Sequence, residues 1–182
     1  MKALVAGDRP NLFLTGRPGC GKTTVIERTL ARLPSVTVGG FYTRELREAG
    51  QRVGFAITGL GVGEGVLAHV RSTGRQRVGR YGVNVEDLDR IGVAALERAS
   101  RECDLIVADE IGRMEMYSER FCAAIVECLD APQPCLGTVQ ARSSPFLDRV
   151  RQRADVELIE VTPANREELP AALAAAVLGL LG

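Results

Sequence analysis

The feature that most constrains this chain is Gly16-Arg17-Pro18-Gly19-Cys20-Gly21-Lys22-Thr23. It fits G-x-x-x-x-G-K-[ST] at every fixed position. Its neighbours suit it. Asn11 to Thr15 is a short apolar run that reads as a buried strand. Residues 22 to 33 place Val25, Ile26, Thr29, Leu30 and Leu33 on one helical face, and Pro34 closes the helix. A strand, a glycine loop and a helix in this order bring backbone N–H groups and a helix N-terminus onto the same phosphate oxygens.

The chain has 23 basic residues, of which only Lys2 and Lys22 are lysine. The arginine excess has a bland origin in genome composition. Position 22 keeps lysine because a compact ammonium on a flexible stem must reach between the β- and γ-phosphates, where a planar guanidinium is bulkier. Thr23 is the expected Mg²⁺ ligand through its hydroxyl. Thr24 belongs to the same turn and joins the binding candidates. Cys20 lies beside a helix N-terminus, a setting that can activate a thiol. The better reading is a variable loop position.

The 182 residues suit one domain, read as 1–182, and 46% hydrophobic content supports a sizeable core. Basic and acidic residues balance at 23 each, so the whole-chain footprint of a nucleic-acid binder is absent, and only weak or local contacts stay open. Five cysteines with no C-x-x-C pair argue against a disulfide framework or zinc site and for reduced thiols. MKALVAGDRP has too short an apolar run for a signal peptide, and AALAAAVLGLLG is too short for a membrane span. The expectation is a cytoplasmic protein without membrane contact, taken as a monomer.

Residues 36–47 and 52–58 read as an antiparallel hairpin around EAGQ. Residues 59–82 are glycine-rich, with a short strand expected near 65–70 and a loop after it. Helices are expected at 86–100, 118–129 and 145–152, strands at 104–109, 135–139 and 156–161, and a last helix from Leu169 to Leu180. Strands alternating with helices imply a three-layer α/β fold whose sheet is mainly parallel, with the hairpin added.

Leu105 to Ala108 is apolar and leads into Asp109 and Glu110. Neighbouring side chains at a strand end point in different directions. Asp109 is therefore the Mg²⁺ candidate and Glu110 the residue that orients or deprotonates water. Thr138 and Gln140, on a strand expected beside it, are candidates for sensing the γ-phosphate or the attacking water. His69, Phe41 and Tyr81 read as packing residues.

The segments GGFYTRELREAGQRVGF (39–55), VGRYGVN (78–84), DLIVADEIGRMEMYSERF (104–121) and VTPANREEL (161–169) resemble the small P-loop nucleoside-triphosphatases that include thermophile enzymes and the human cancer-related NTPase. The resemblance covers nearly the whole chain. It implies a RecA-like P-loop fold and slow Mg²⁺-dependent hydrolysis of ATP, GTP and other NTPs, with little choice of base. The phosphate loop and the Asp109–Glu110 pair carry over directly. Arg113 and Arg80 replace usual lysines, and Gln140 stands where a histidine is common. Arg47 and Arg113 are candidates for positive charge near the γ-phosphate. Asn165 and Arg166 could approach the base or ribose. Asn165 with Glu168 also has the spacing of a helix capping box, the favoured reading. Two other functions stay open: a kinase passing the γ-phosphate to a nucleotide, polynucleotide end or small molecule, and a nucleotide-dependent interaction protein using the hairpin.

Overall fold

The first strand shows how the sheet is covered. In β1 (Asn11–Thr15), Leu12 and Leu14 point into one apolar cluster and Phe13 into another on the opposite face. The same alternation recurs in β7 (Leu105–Ile111), with Leu105 and Val107 on one side and Ile106 and Ala108 on the other. Strands apolar on both faces belong in the middle of a sheet covered by helices on both sides.

The computed structural model describes residues 11–182, and the reading of MKALVAGDRP lies outside them. Among the described residues nine strands form one sheet in the order β5-β6-β4-β3-β2-β7-β8-β1-β9. The parallel part is β2 (Val38–Glu48), β7, β8 (Cys135–Val139), β1 and β9 (Val156–Glu160). One face packs against α1 (Lys22–Leu30) and α6 (Leu169–Leu181). The other packs against α3 (Ala94–Glu102), α4 (Glu119–Asp130) and α5 (Pro145–Gln152). This is the expected three-layer α/β arrangement. Among the described residues no helix is long and apolar enough to cross a membrane.

The expected hairpin is β2 with β3 (Gln51–Gly59), and the antiparallel part goes further. It continues through β4 (Gly63–His69), β6 (Tyr81–Val83) and β5 (Arg77–Val78). The loop expected after residue 70 thus holds two strands. At two and three residues they are too short for alternation to reveal, and exist because neighbouring strands offer pairing partners. The helix expected at 86–100 is a turn, α2 (Val85–Asp87), a π-helical segment Leu88–Val93, and α3. The wider turns bury Leu88, Ile91, Gly92 and Val93 together. Helix α1 ends at Leu30, three residues early, and the chain tightens through Arg32 N–H to Thr29 O and Leu33 N–H to Leu30 O before Pro34.

Gly40 joins the two parts of the sheet. Its φ is +102°, and a Cβ there would fall 2.0 Å from the Val107 carbonyl oxygen. Gly40→Ala is expected to destabilise the protein by about 3 kcal/mol or more, combining backbone strain with a clash against main chain. The urea midpoint measures it; an unchanged midpoint would mean that β2 and β7 can part without cost.

Candidate active site

The phosphate loop follows β1 and runs into α1. Gly19 and Gly21 take φ of +76° and +103°, so the loop curls through conformations that side chains resist. Gly21 is the residue on which α1 starts. Arg17, Pro18 and Gly19 are exposed at the loop crest, while Cys20 turns inward onto the apolar cluster beneath α1 and α6. Cys20 is therefore a packing residue of the loop. Gly16 is held so close to Val161 that a Cβ would sit 2.8 Å from its carbonyl oxygen.

The acidic pair lies at the neighbouring strand ends. β7 and β8 pair through Ala108 with Gly137 and again through Ile111 with Val139. Asp109 and Glu110 thus face the single residue Thr138, a bulge that aims two consecutive carboxylates at one place. A cis peptide bond joins them. Both acids lie inside the strand, which runs two residues past its expected end. Asp109 is 2% exposed, and Thr138, fully buried, donates its hydroxyl to Asp109 Oδ1 at 2.6 Å. Asp109 Oδ2 is buried with no hydrogen-bond partner.

Burial raises the pKa of Asp109, opposed by the Thr138 and Thr23 hydroxyls and the Lys22 charge. Burial also raises Glu110, with Lys22 pulling it down, Asp109 pushing it up and the Gln140 side chain pulling it down. The expected residues therefore converge: Lys22 and Thr23 from the loop, Asp109 and Glu110 from β7, Thr138 from β8. An unpartnered buried carboxylate oxygen next to a threonine hydroxyl suits a hard cation that takes its remaining oxygens from phosphate and water. Among the described residues no cluster of three or more acidic, His or Cys side chains could hold a metal alone.

A cleft of about 210 Å³ opens beside the loop, lined by Gly21, Thr24, Val25, Arg28, Arg166 and Glu167. Arg28 and Glu167 pair across it at 2.6 Å. Arg166 lies against the loop, its Cδ 3.8 Å from where a Gly21 Cβ would be. Asn165 is a correction. Helix α6 starts at Leu169 with Glu168 before it, so Asn165 caps no helix. Its Oδ1 accepts the Thr162 N–H at 2.8 Å, and its Nδ2 donates to Glu160 O at 2.8 Å. It braces the loop that presents Arg166.

The two candidate arginines part company. Arg113 is half-buried in the turn after Glu110, and its backbone N–H donates to Gln140 Oε1 at 3.3 Å. Arg47 lies elsewhere. Tyr42 is level with Asp109 in the sheet, and Arg47 is five residues further along β2, roughly 17 Å at strand rise. Its guanidinium is held by Glu45 at 2.6 Å and by Gly50 O at 3.0 Å. The structure does not bring it to the phosphate loop. His69 supports a turn, accepting the Arg71 N–H on Nδ1, and Phe41 packs edge-on to Phe121.

Sequence reading passed over Glu115. It is 4% exposed, and its Oε2 accepts the Gly112 N–H at 2.9 Å, closing the turn that carries Arg113. The signal was present, since an acid three residues after a backbone donor is the spacing of a side chain reaching back. Burial first, then the nearby Glu110 and Asp109 charges, push its pKa up to about 8, against hydrogen bonds that lower it. The folded protein thus keeps a proton that the unfolded chain releases near 4.5. Stability falls as pH rises between these values, by several kcal/mol in total. Glu115→Gln keeps an acceptor for Gly112 and removes the titration. Its Tm should exceed that of the wild type by more at pH 8 than at pH 5.5; an equal gap at both would show that Glu115 is ionised in the fold.

The family model described as NTPase matches residues 11–174. The nucleoside-triphosphatase THEP1 of Thermofilum pendens is 46% identical over 94% of this chain and 97% of its own length. That of Thermotoga sp. (strain RQ2) is 44% identical over 87% and 90%. The crystal structure of THEP1 from Aquifex aeolicus superposes with a TM-score of 0.83 at 31% identity, covering 92% of this chain and 98% of that one. The solution structure of a human cancer-related nucleoside triphosphatase gives 0.77 at 32% identity, covering 93% and 97%. The chain belongs to this nucleoside-triphosphatase family and has its P-loop α/β fold.

Proposed function

We propose that the protein is a Mg²⁺-dependent nucleoside-triphosphate phosphohydrolase that converts NTP and water to NDP and phosphate, slowly and with broad base specificity. The observation that carries this reading is the bulge in β7, which turns Asp109 and Glu110 toward Lys22 and Thr23 of the phosphate loop. The names of the relatives support the same chemistry.

Residues 16–23 bind the phosphates through backbone N–H groups, with the Lys22 ammonium between the β- and γ-phosphates. Thr23 and Asp109 would hold Mg²⁺, which when bound neutralises charge on the same phosphate oxygens. Glu110, raised by burial and so closer to working pH than an exposed glutamate, takes a proton from water. The water oxygen bonds to the γ-phosphorus as the bond to the β–γ bridging oxygen breaks. Gln140 steadies Glu110, and Arg113 supplies positive charge as the terminal phosphate departs. The nucleoside occupies the cleft beside Thr24 and Arg166. The Arg166 side chain is exposed, and a guanidinium plane stacks on any base, which fits broad specificity. The five thiols are free, which fits a cytoplasmic protein, read here as a monomer acting on ATP, GTP and other NTPs.

Phosphate release from ATP, GTP, CTP and UTP with Mg²⁺ tests this. The wild type should hydrolyse all four, while Glu110→Gln should bind nucleotide and turn over at least about 100-fold more slowly. A wild type that binds nucleotide but releases no phosphate without an added acceptor overturns hydrolysis in favour of phosphoryl transfer. Arg166→Ala should raise KM for all four by about tenfold with kcat retained, the signature of lost uniform binding. Arg113→Ala should lower kcat; a change below about threefold, under ~1 kcal/mol, removes it from the transition state.

A further inference from the structure

The balanced charge of the whole chain hides a separation. Residues 42–83, from Tyr42 in β2 through the antiparallel strands to Val83, carry seven arginines and three glutamates. Residues 84–182 carry ten arginines and eighteen acids. The first segment is net +4 and the second net −8, so the antiparallel extension is a basic body attached to an acidic one.

Two of its arginines gather around one side chain. Arg80 and Arg52 lie over the Tyr81 ring, 5.2 and 5.7 Å from its centroid, and Arg52 also covers Phe55 at 5.2 Å. Arg52 Nε donates to the Tyr81 hydroxyl at 3.1 Å. Arg77 donates to Ser72 O at 2.9 Å and Arg80 O at 2.6 Å, and Arg80 donates to Arg52 O. Bonds to carbonyls orient a guanidinium without neutralising it. The one carboxylate in the group is Glu45, shared by Arg47 and Arg52. Arg47, Arg52, Arg77 and Arg80 are all exposed, as is Arg75 in the adjoining turn. Exposed guanidinium groups that outnumber the carboxylates around them give this region a positive potential that attracts anions.

The edge of the extension also carries an aromatic ring. Tyr117 is 41% exposed and donates its hydroxyl to Arg77 O at 2.7 Å. Guanidinium groups that can neutralise successive phosphates, beside an exposed ring that can stack on an unpaired base, are the chemistry of single-strand recognition. We propose that this arginine face with Tyr117 is a docking surface for single-stranded nucleic acid. The phosphodiester backbone lies on the guanidinium groups and one base on the Tyr117 ring. The surface adjoins the candidate active site, because Tyr117 and Met114 belong to the turn after Glu110 and Met114 packs on the Tyr81 cluster. It is independent of whether the protein hydrolyses NTPs.

Fluorescence anisotropy with 3′-labelled dT and U 12-mers tests this, with Mg²⁺ and ADP in excess to occupy the phosphate loop. Binding to both is expected, with a log–log salt slope of about −2 to −3 between 50 and 200 mM NaCl, as for three or four neutralised phosphates. Arg75→Glu and Tyr117→Leu should each weaken it by about tenfold, while Arg75→Lys retains it. Arg75 and Tyr117 are exposed, so both variants should fold. No binding at 50 mM NaCl overturns the proposal, as does affinity unchanged in both variants. Equal affinity for a 12-bp duplex overturns the single-strand assignment. Displacement by inorganic tripolyphosphate at equal phosphate concentration reduces the face to a small-anion site and overturns it too.

Discussion

The hydrogen bond from Thr138 to Asp109 is the interaction on which the site depends. A carboxylate 2% exposed to solvent must be partnered or protonated, because burying an unpaired charge is costly. Thr138 satisfies one oxygen at 2.6 Å and leaves the other buried without a partner. The cost of that open position is met by the surrounding core, since β7 and β8 are among the most deeply buried strands of the sheet. A rigid, two-sided sheet is what lets one unsatisfied oxygen persist where a loop would collapse onto it.

Around this bond the site is assembled by register. The bulge places two β7 residues opposite one of β8, and that single irregularity separates the fates of the acids. Asp109 turns to Thr138 and Thr23. Glu110 turns to Lys22 and the Gln140 amide. Gln140 also accepts the Arg113 N–H, so the water-handling residue and the nearby arginine share one brace. Glu115 closes the turn beneath them through Gly112. The arrangement is a chain of short polar contacts in a dry environment, where each link depends on the next being satisfied.

Beyond the site the molecule divides into two electrostatic parts. The parallel strands and their helices carry most of the acids, and the antiparallel extension carries most of the uncompensated arginine. Interspersed ion pairs such as Arg44 with Glu64 and Arg71 with Glu48 lie on exposed surface and contribute little to stability. The extension owes its cohesion to strand pairing and to the Phe55–Tyr81 contact, with ring centroids 5.3 Å apart.

Much of this was legible in the sequence, and the reason is local. The phosphate loop declares itself because its geometry needs glycines, a lysine and a threonine at set spacings within one turn of chain. The central strands declare themselves because burial on both faces demands continuous apolar residues, and Asp109 and Glu110 stand out against that run. What the tertiary structure alone decided is non-local. Strands β5 and β6 exist only because β4 offers them an edge. Asn165 became a loop brace because α6 begins three residues later than a cap would require. Arg47 and Arg113 look alike as arginines in distinctive segments, but strand rise carries one away from the acidic pair and a tight turn after Glu110 keeps the other on Gln140. Covalent neighbours shape a loop or a helix start, whereas distance between segments is set by pairing and packing of residues far apart in the chain.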